Sequence, residues 1–190
     1  VEHLASLRAM PNVDVFRPAD AVETLECWAL ALKREDGPSV LALTRQNLPA
    51  LRTGAWRMNH SAEGGYVLAE ADGARQVTLI ATGSEVEIAM KARELLAADG
   101  IAAAVVSMPC CELFDALPAD AREKVLGAGT VRIAIEAGVA FGWDRYLGSR
   151  GAAVAMPGFG ASAPYQELYQ HFGITAEAAA AKAKDLLAVK

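Results

Sequence analysis

Short apolar, β-branched runs alternate along the chain with segments whose apolar residues recur every three or four positions. Val13-Asp14-Val15-Phe16, bounded by Pro11-Asn12 and Pro18, has the form of a strand. A helix is expected from Asp20, whose carboxylate can cap it, with Glu23 three residues on as in a capping box. Its positions Val22, Leu25, Ala29 and Leu32 make one stripe for burial. Gly37-Pro38 ends the helix, and Ser39–Thr44 follows as a second, buried strand. A strand–helix–strand unit of this kind favours parallel pairing through a crossover.

From Arg45 to about Gln76 the periodicity fails. Pro49, Gly54, Gly64-Gly65 and Gly73 punctuate the stretch, and Gly65-Tyr66-Val67-Leu68 is a brief strand at most. So long a break inside one domain points to a linker. Beyond it the alternation resumes. Val77–Thr82 is a continuous apolar strand, and Gly83 turns it into a helix from Ser84. Ser84 and Glu87 have the spacing of a second capping box, Ile88, Ala92, Leu95 and Leu96 supply the stripe, and Asp99-Gly100 closes the helix. Ala103–Met108, Val131–Glu136 and Ala152–Met156 are further strands. Helices are expected around 112–117, 119–126, 141–147, 164–172 and 175–189. Strands that are apolar on both faces and separated by helices imply an open, mostly parallel sheet with helices on both faces. The fold class is α/β, in two parts. Residues 1–60 form an incomplete unit, 61–76 a linker and 77–190 a small complete domain.

Charge supports the division. The 190 residues carry 18 basic and 23 acidic side chains, a net charge of −5. The two signs balance over residues 1–60, so the excess falls on the later part. An acidic chain argues against a nucleic-acid partner, which needs a basic face. No apolar run approaches the ~20 residues of a membrane-spanning helix, which excludes that class of membrane protein. Three cysteines, two of them adjacent at 110 and 111, are a poor basis for structural disulfides, so a reducing, cytoplasmic setting is expected. The chain opens Val1-Glu2-His3-Leu4 without an initiator Met or a signal pattern. It is expected to be processed, or part of something longer.

Candidate chemistry is sparse. Arg45, in Leu43-Thr44-Arg45-Gln46-Asn47-Leu48, follows an expected strand at its carboxyl end, where open α/β sheets bind ligands. Its planar guanidinium matches phosphate or carboxylate oxygens, although a solvated loop arginine has the same spacing. Gly83-Ser84-Glu85 sits between strand and helix, where an anion can bind, but it lacks the further glycines of a dinucleotide fingerprint and reads as a structural turn. Gly160-Ala161-Ser162-Ala163-Pro164 lacks the last glycine of a nucleophile elbow, and Ser162 reads as a helix cap. His3, His60 and His171 are scattered, and no metal spacing is encoded. Trp28 and Trp143 read as packing residues.

Phe16-Arg17-Pro18-Ala19-Asp20, Leu43-Thr44-Arg45-Gln46-Asn47-Leu48 and Gly64-Gly65-Tyr66-Val67-Leu68 resemble transketolase segments. So do Ile80-Ala81-Thr82-Gly83-Ser84-Glu85-Val86, Val106-Ser107-Met108-Pro109, Glu136-Ala137-Gly138 and Gly158-Phe159-Gly160-Ala161-Ser162-Ala163-Pro164. The resemblance covers nearly the whole chain, in order. It is to the last third of a subunit: the end of the pyrimidine-binding domain, a linker and the carboxy-terminal domain. It implies a two-carbon ketol transfer between sugar phosphates, with thiamine diphosphate and a divalent cation (Mg or Ca) in a homodimeric, full-length enzyme of the pentose phosphate pathway. It also implies that Arg45 binds the sugar phosphate. The family's cofactor, metal and catalytic residues have no counterpart among these segments, and His3 is not a substitute for them. The chain alone is therefore expected to be inactive and to bind no cofactor, its partner being the remainder of the subunit. Dihydroxyacetone synthase shares these segments and remains a rival. A deoxyxylulose-phosphate synthase-like enzyme is disfavoured by Thr44-Arg45-Gln46-Asn47-Leu48, and a free-standing association or regulatory module is the reading from another class.

Overall fold

A computed structural model describes residues 1–53 and 58–189; Gly54, read above as a break in the pattern, lies outside them. The chain runs α1 (His3–Arg8), β1 (Asp14–Phe16), α2 (Ala21–Lys33), β2 (Ser39–Leu41), a 3-10 turn (His60–Glu63) and β3 (Tyr66–Ala69). It continues through β4 (Val77–Ala81), α3 (Glu85–Ala98), β5 (Ala103–Ser107), α4 (Cys111–Asp115), α5 (Ala119–Leu126) and β6 (Val131–Glu136). α6 (Asp144–Leu147), a 3-10 turn (Gly148–Arg150), β7 (Gly151–Ala155), α7 (Tyr165–Phe172) and α8 (Ala176–Ala188) complete it. β1 and β2 pair in parallel; the other strands form one sheet in the order β3-β5-β4-β6-β7.

The α/β reading holds, with helices on both faces of the larger sheet. β4, β5 and β6 are buried along their whole length, and successive residues point to opposite faces. Val77, Leu79, Ala81, Ile133 and Ile135 pack against Ala89, Ala92 and Leu96 of α3 and the alanines of α8. Ile80, Val106 and Ala134 face Phe114, Leu126, Trp143 and Tyr146 on the other side. Small residues on α3 and α8 let both helices lie close to the sheet and to each other.

Residues 61–76, expected as a linker, contribute β3, which pairs antiparallel with β5 and makes this sheet mixed. Gly64 lets the chain enter β3. Its φ is +71°, and a Cβ there would stand 2.2 Å from the Phe114 nitrogen and 2.4 Å from the Cys110 oxygen.

Several local expectations need correction. β2 ends at Leu41 and is only half-buried, so the strand expected through Thr44 stops three residues sooner. On α2, Leu25 and Leu32 are 72 and 77 % exposed and Trp28 is exposed too, while Glu23, Glu26 and Cys27 are buried. The polar side turns inward because each carboxylate finds donors there, as described below. Asp20 does cap α2, accepting from the Glu23 N–H at 2.8 Å. Ser84 does not cap α3 with its side chain, which bonds Glu85 instead, and Glu87 pairs with Lys91. Leu95 is exposed, and Val86 and Ala89 take its place in the buried stripe. Pro164, not Ser162, precedes α7, with no side-chain cap. The helix expected over 141–147 is limited to Asp144–Leu147, and α1 has no counterpart in the sequence reading.

Candidate functional site

In the larger sheet, β4 leads through α3 to β5 on one side, and β6 then pairs on the other side of β4. The chain thus reverses direction across β4, and such a switch point opens a crevice beyond the strands' carboxyl ends. Thr82-Gly83-Ser84-Glu85 and Glu136 border this crevice, and arginines from the first unit fill it. Arg17, just after β1, donates through Nη1 to the Thr82 carbonyl (2.8 Å), to Thr82 Oγ1 (2.6 Å) and to Glu85 Oε2. Arg8, from α1, makes two parallel bonds of 2.8 Å to the Glu136 carboxylate. Glu136 also accepts from Thr82 Oγ1 (2.7 Å) and Trp143 Nε1 (2.9 Å). Burial opposes ionisation of Glu136, but the Arg8 bonds and charge, with Arg17, hold its carboxyl below the usual carboxylate range. Gly83 (φ +53°) is needed beside this lock, since a Cβ would meet Arg17 Cγ at 2.9 Å. The Gly-Ser-Glu turn therefore seats a guanidinium of its own chain, as a structural element.

A second polar junction lies under α2. Glu26 makes a two-pronged pair with Arg52 (3.1 and 3.0 Å) and accepts from the Ser61 N–H and Oγ. Glu23 is held by hydrogen-bond donors. It accepts from the Ala19 N–H, Tyr66 OH and Ser107 Oγ, each at 2.6 Å. Burial outweighs these three donors and raises its pKa. Glu112 reaches from α4 to the outer edge of β1, accepting from the Val15 N–H at 3.1 Å. The larger unit thus covers one edge of the two-stranded sheet.

Arg45 behaves unlike the other arginines. It is exposed, four residues beyond β2, and among the described residues it is the one arginine with no hydrogen bond or ion pair. Its neighbour Gln46 lines a cavity of about 270 Å³ with Arg17, Thr44, Gly83, Ser84 and Tyr169. Thr44 and Gln46, on either side of Arg45, thus line the cleft, and the Arg45 side chain is exposed.

The remaining sequence candidates do not converge. His3 is on α1, His60 in a 3-10 turn and His171 on α7. Cys27, Cys110 and Cys111 are free and buried. Burial pushes the Cys27 thiol up to about 12 and Cys111 to about 11, which leaves them poor nucleophiles. Trp143 packs in the core as expected, whereas Trp28 does not. Sequence reasoning missed Arg8, Arg17, Glu85 and Glu136. Arg17, Glu85 and Glu136 stood at or near the ends of apolar strands, in segments that carry the resemblance, with no role assigned to them; Arg8 carried no such mark.

The family model for the transketolase pyrimidine-binding domain matches residues 1–50, and that for the transketolase-like C-terminal domain matches 64–175. The chain belongs to the transketolase family. It is 58 % identical over 193 residues to a transketolase of Rhodobacter capsulatus, an alignment covering 98 % of this chain and 29 % of that protein. A solved transketolase of Pichia stipitis in complex with sedoheptulose-7-phosphate is 36 % identical, with a TM-score of 0.91, covering 99 % of this chain and 27 % of the other. A split-gene transketolase described as an inactive β4 tetramer is 26 % identical, with a TM-score of 0.81, covering all of this chain and 62 % of that one. The chain therefore spans under a third of the curated transketolase it matches.

The family implies thiamine diphosphate and a divalent cation in the whole enzyme. Among the described residues no three or more His, Cys, Asp and Glu side chains are grouped to hold a metal ion. The two carboxylates at the crevice are already matched by Arg8 and Arg17. These residues do not fit the cation or the charged end of that cofactor.

Proposed function

We propose that this chain is the carboxy-terminal portion of a cytoplasmic, homodimeric transketolase, in which Arg45 holds the phosphate of the sugar substrates. The reaction class is transfer of a two-carbon ketol unit between sugar phosphates, with thiamine diphosphate and a divalent cation seated by the rest of the subunit. The observation that supports the Arg45 role is its exposed side chain, without a hydrogen bond or ion pair among the described residues, between Thr44 and Gln46, which line the cleft, in a chain whose other described arginines are engaged. A guanidinium fork anchors a phosphate through charge-assisted bonds and fixes the direction in which the sugar extends. The carbanion chemistry belongs to the cofactor. The larger sheet contributes no group to it and acts as a support for the first unit.

The test is Arg45→Ala in the full-length protein. Loss of one charge-assisted contact, roughly 1.5–3 kcal/mol, should raise KM for phosphorylated sugars by about 10- to 150-fold. Unphosphorylated sugars should be unaffected. Equal kinetics for wild type and variant with both classes of sugar would remove Arg45 from the site.

A further inference from the structure

We propose that a cavity of about 80 Å³ lined by α1, α4 and α6 is a binding site for a small uncharged polyhydroxyl molecule. α1 contributes Ala5 and Arg8 to its wall, α4 contributes Glu112 and Asp115, and α6 with the residue before it contributes Tyr146 and Trp143. Both units thus form the site. Phe141 and Arg145 also line it and are exposed, which places its mouth at the surface. The proposal does not rest on the role of Arg45.

Four buried polar atoms of these residues have no hydrogen-bond partner among the described residues: Arg8 Nε, Glu112 Oε1, Asp115 Oδ1 and the Tyr146 hydroxyl. In each case the rest of the side chain is already fixed. Both Arg8 Nη atoms donate to Glu136, and Glu112 Oε2 accepts from the Val15 N–H at 3.1 Å and the Cys110 thiol at 3.3 Å. Asp115 Oδ2 accepts from Arg145 Nη1 at 2.7 Å, while Oδ1 lies 3.7 Å from Arg122 Nη1, an ion pair beyond hydrogen-bond reach. Tyr146 is only 3 % exposed, its ring set edge-on against Phe114 and Trp143. Leaving a buried polar atom unbonded is costly, so four of them on the wall of one cavity point to an occupant that bonds them.

The donor and acceptor set selects that occupant. Two carboxylate oxygens need donors, the Arg8 Nε–H needs an acceptor, and the phenol serves either way. A sulfate or fully ionised phosphate has no donor, and a metal ion or ammonium has no acceptor. The wall carries two guanidiniums, of Arg8 and Arg145, and two carboxylates, of Glu112 and Asp115, so its formal charges balance and favour a ligand of neither sign. A hydroxyl group is donor and acceptor at once, and its carbon chain can lie against Ala5 and the Trp143 ring. At roughly 10–15 Å³ for each water-sized group, the cavity matches about the heavy-atom count of a three- or four-carbon polyol.

The experiment uses the full-length protein with glycerol and erythritol as probes, in soaked crystals and by titration calorimetry. Crystals should show the polyol bonded to the four atoms, and solution binding should saturate with a Kd on the order of 1 mM. Tyr146→Phe removes one neutral bond and should weaken binding about 2- to 10-fold. Glu112→Gln can keep the Val15 bond through its oxygen while its NH2 group puts a donor where an acceptor stood, and should weaken binding roughly 10-fold or more. Both variants should turn over sugar phosphates as the wild type does, which separates this site from polyol bound in place of a substrate. Tyr146→Phe removes a hydroxyl that has no partner in the fold, so it should fold even where Glu112→Gln does not. Ordered water alone on the four atoms in soaked crystals, or the four atoms bonded to one another, would overturn the proposal. So would polyol density without saturable binding in solution (an adventitious additive only), equal affinity in wild type and both variants, or inorganic phosphate bound here in preference to the polyol.

Discussion

The two sheets follow the same alternation of strand and helix, yet they are held by different forces. In the larger one, three adjacent strands are buried end to end, and apolar side chains fill both faces. In the smaller one, β2 is half-buried, and α2 turns two carboxylates inward and Leu25, Trp28 and Leu32 outward. Its core is a small cluster of Phe16, Cys27 and Cys110, the last supplied by the larger unit. Hydrophobic burial stabilises the larger unit from within. The smaller one is fixed largely by charged and hydrogen-bonded contacts across the junction, where geometry matters more than area.

Breaking the junction should have the largest effect. Glu136→Ala leaves the Arg8 guanidinium buried without its partner and should cost about 3–5 kcal/mol, measured by denaturant unfolding. A loss below 1 kcal/mol would show that the lock does not hold the units together. In the larger core, Leu79→Ala should cost about 2–5 kcal/mol. That loss should appear even where Arg8 and Arg17 are both replaced, if the sheet stands by itself.

The pH dependence sharpens the contrast because the two buried carboxyls have opposite signs. Glu136 is held below its usual range, so its stabilisation is full above the unfolded carboxyl's titration and is lost as pH falls through the depressed folded value. Glu23 is pushed upward, so its contribution is full below the ordinary carboxylate range and declines as pH rises through the raised folded value. Glu136→Gln should therefore flatten the acid limb of stability against pH, and Glu23→Gln the opposite limb. Thermal unfolding across mildly acid to neutral pH reads both. The smallest effect is expected at Leu32→Ala on the outer face of α2, within about 0.5 kcal/mol in this chain, as for other surface changes. A core-sized loss there would mean that this face is covered.

The contrast also explains what the sequence made legible. β4, β5 and β6 were plain because apolar runs bounded by turn residues leave few alternatives. α2 was found as a helix but turned the wrong way, since its apolar stripe is real and its buried side is polar. Periodicity does not reveal that Glu23 and Glu26 meet Tyr66, Ser107, Ser61 and Arg52, partners 26 to 84 residues away. The same distance in sequence hid the Arg8 and Arg17 lock. Arg45 was legible as a candidate because it is local to a strand end. That it alone among the described arginines is unengaged required coordinates.

The most direct test of the proposal that this chain supplies a phosphate-holding arginine but not the cofactor's seat is a titration of the purified 190-residue protein. Calorimetry with thiamine diphosphate and magnesium should give no saturable binding, and an assay on sugar phosphates should give no ketose product. Saturable cofactor binding or measurable turnover by this chain alone would contradict the account.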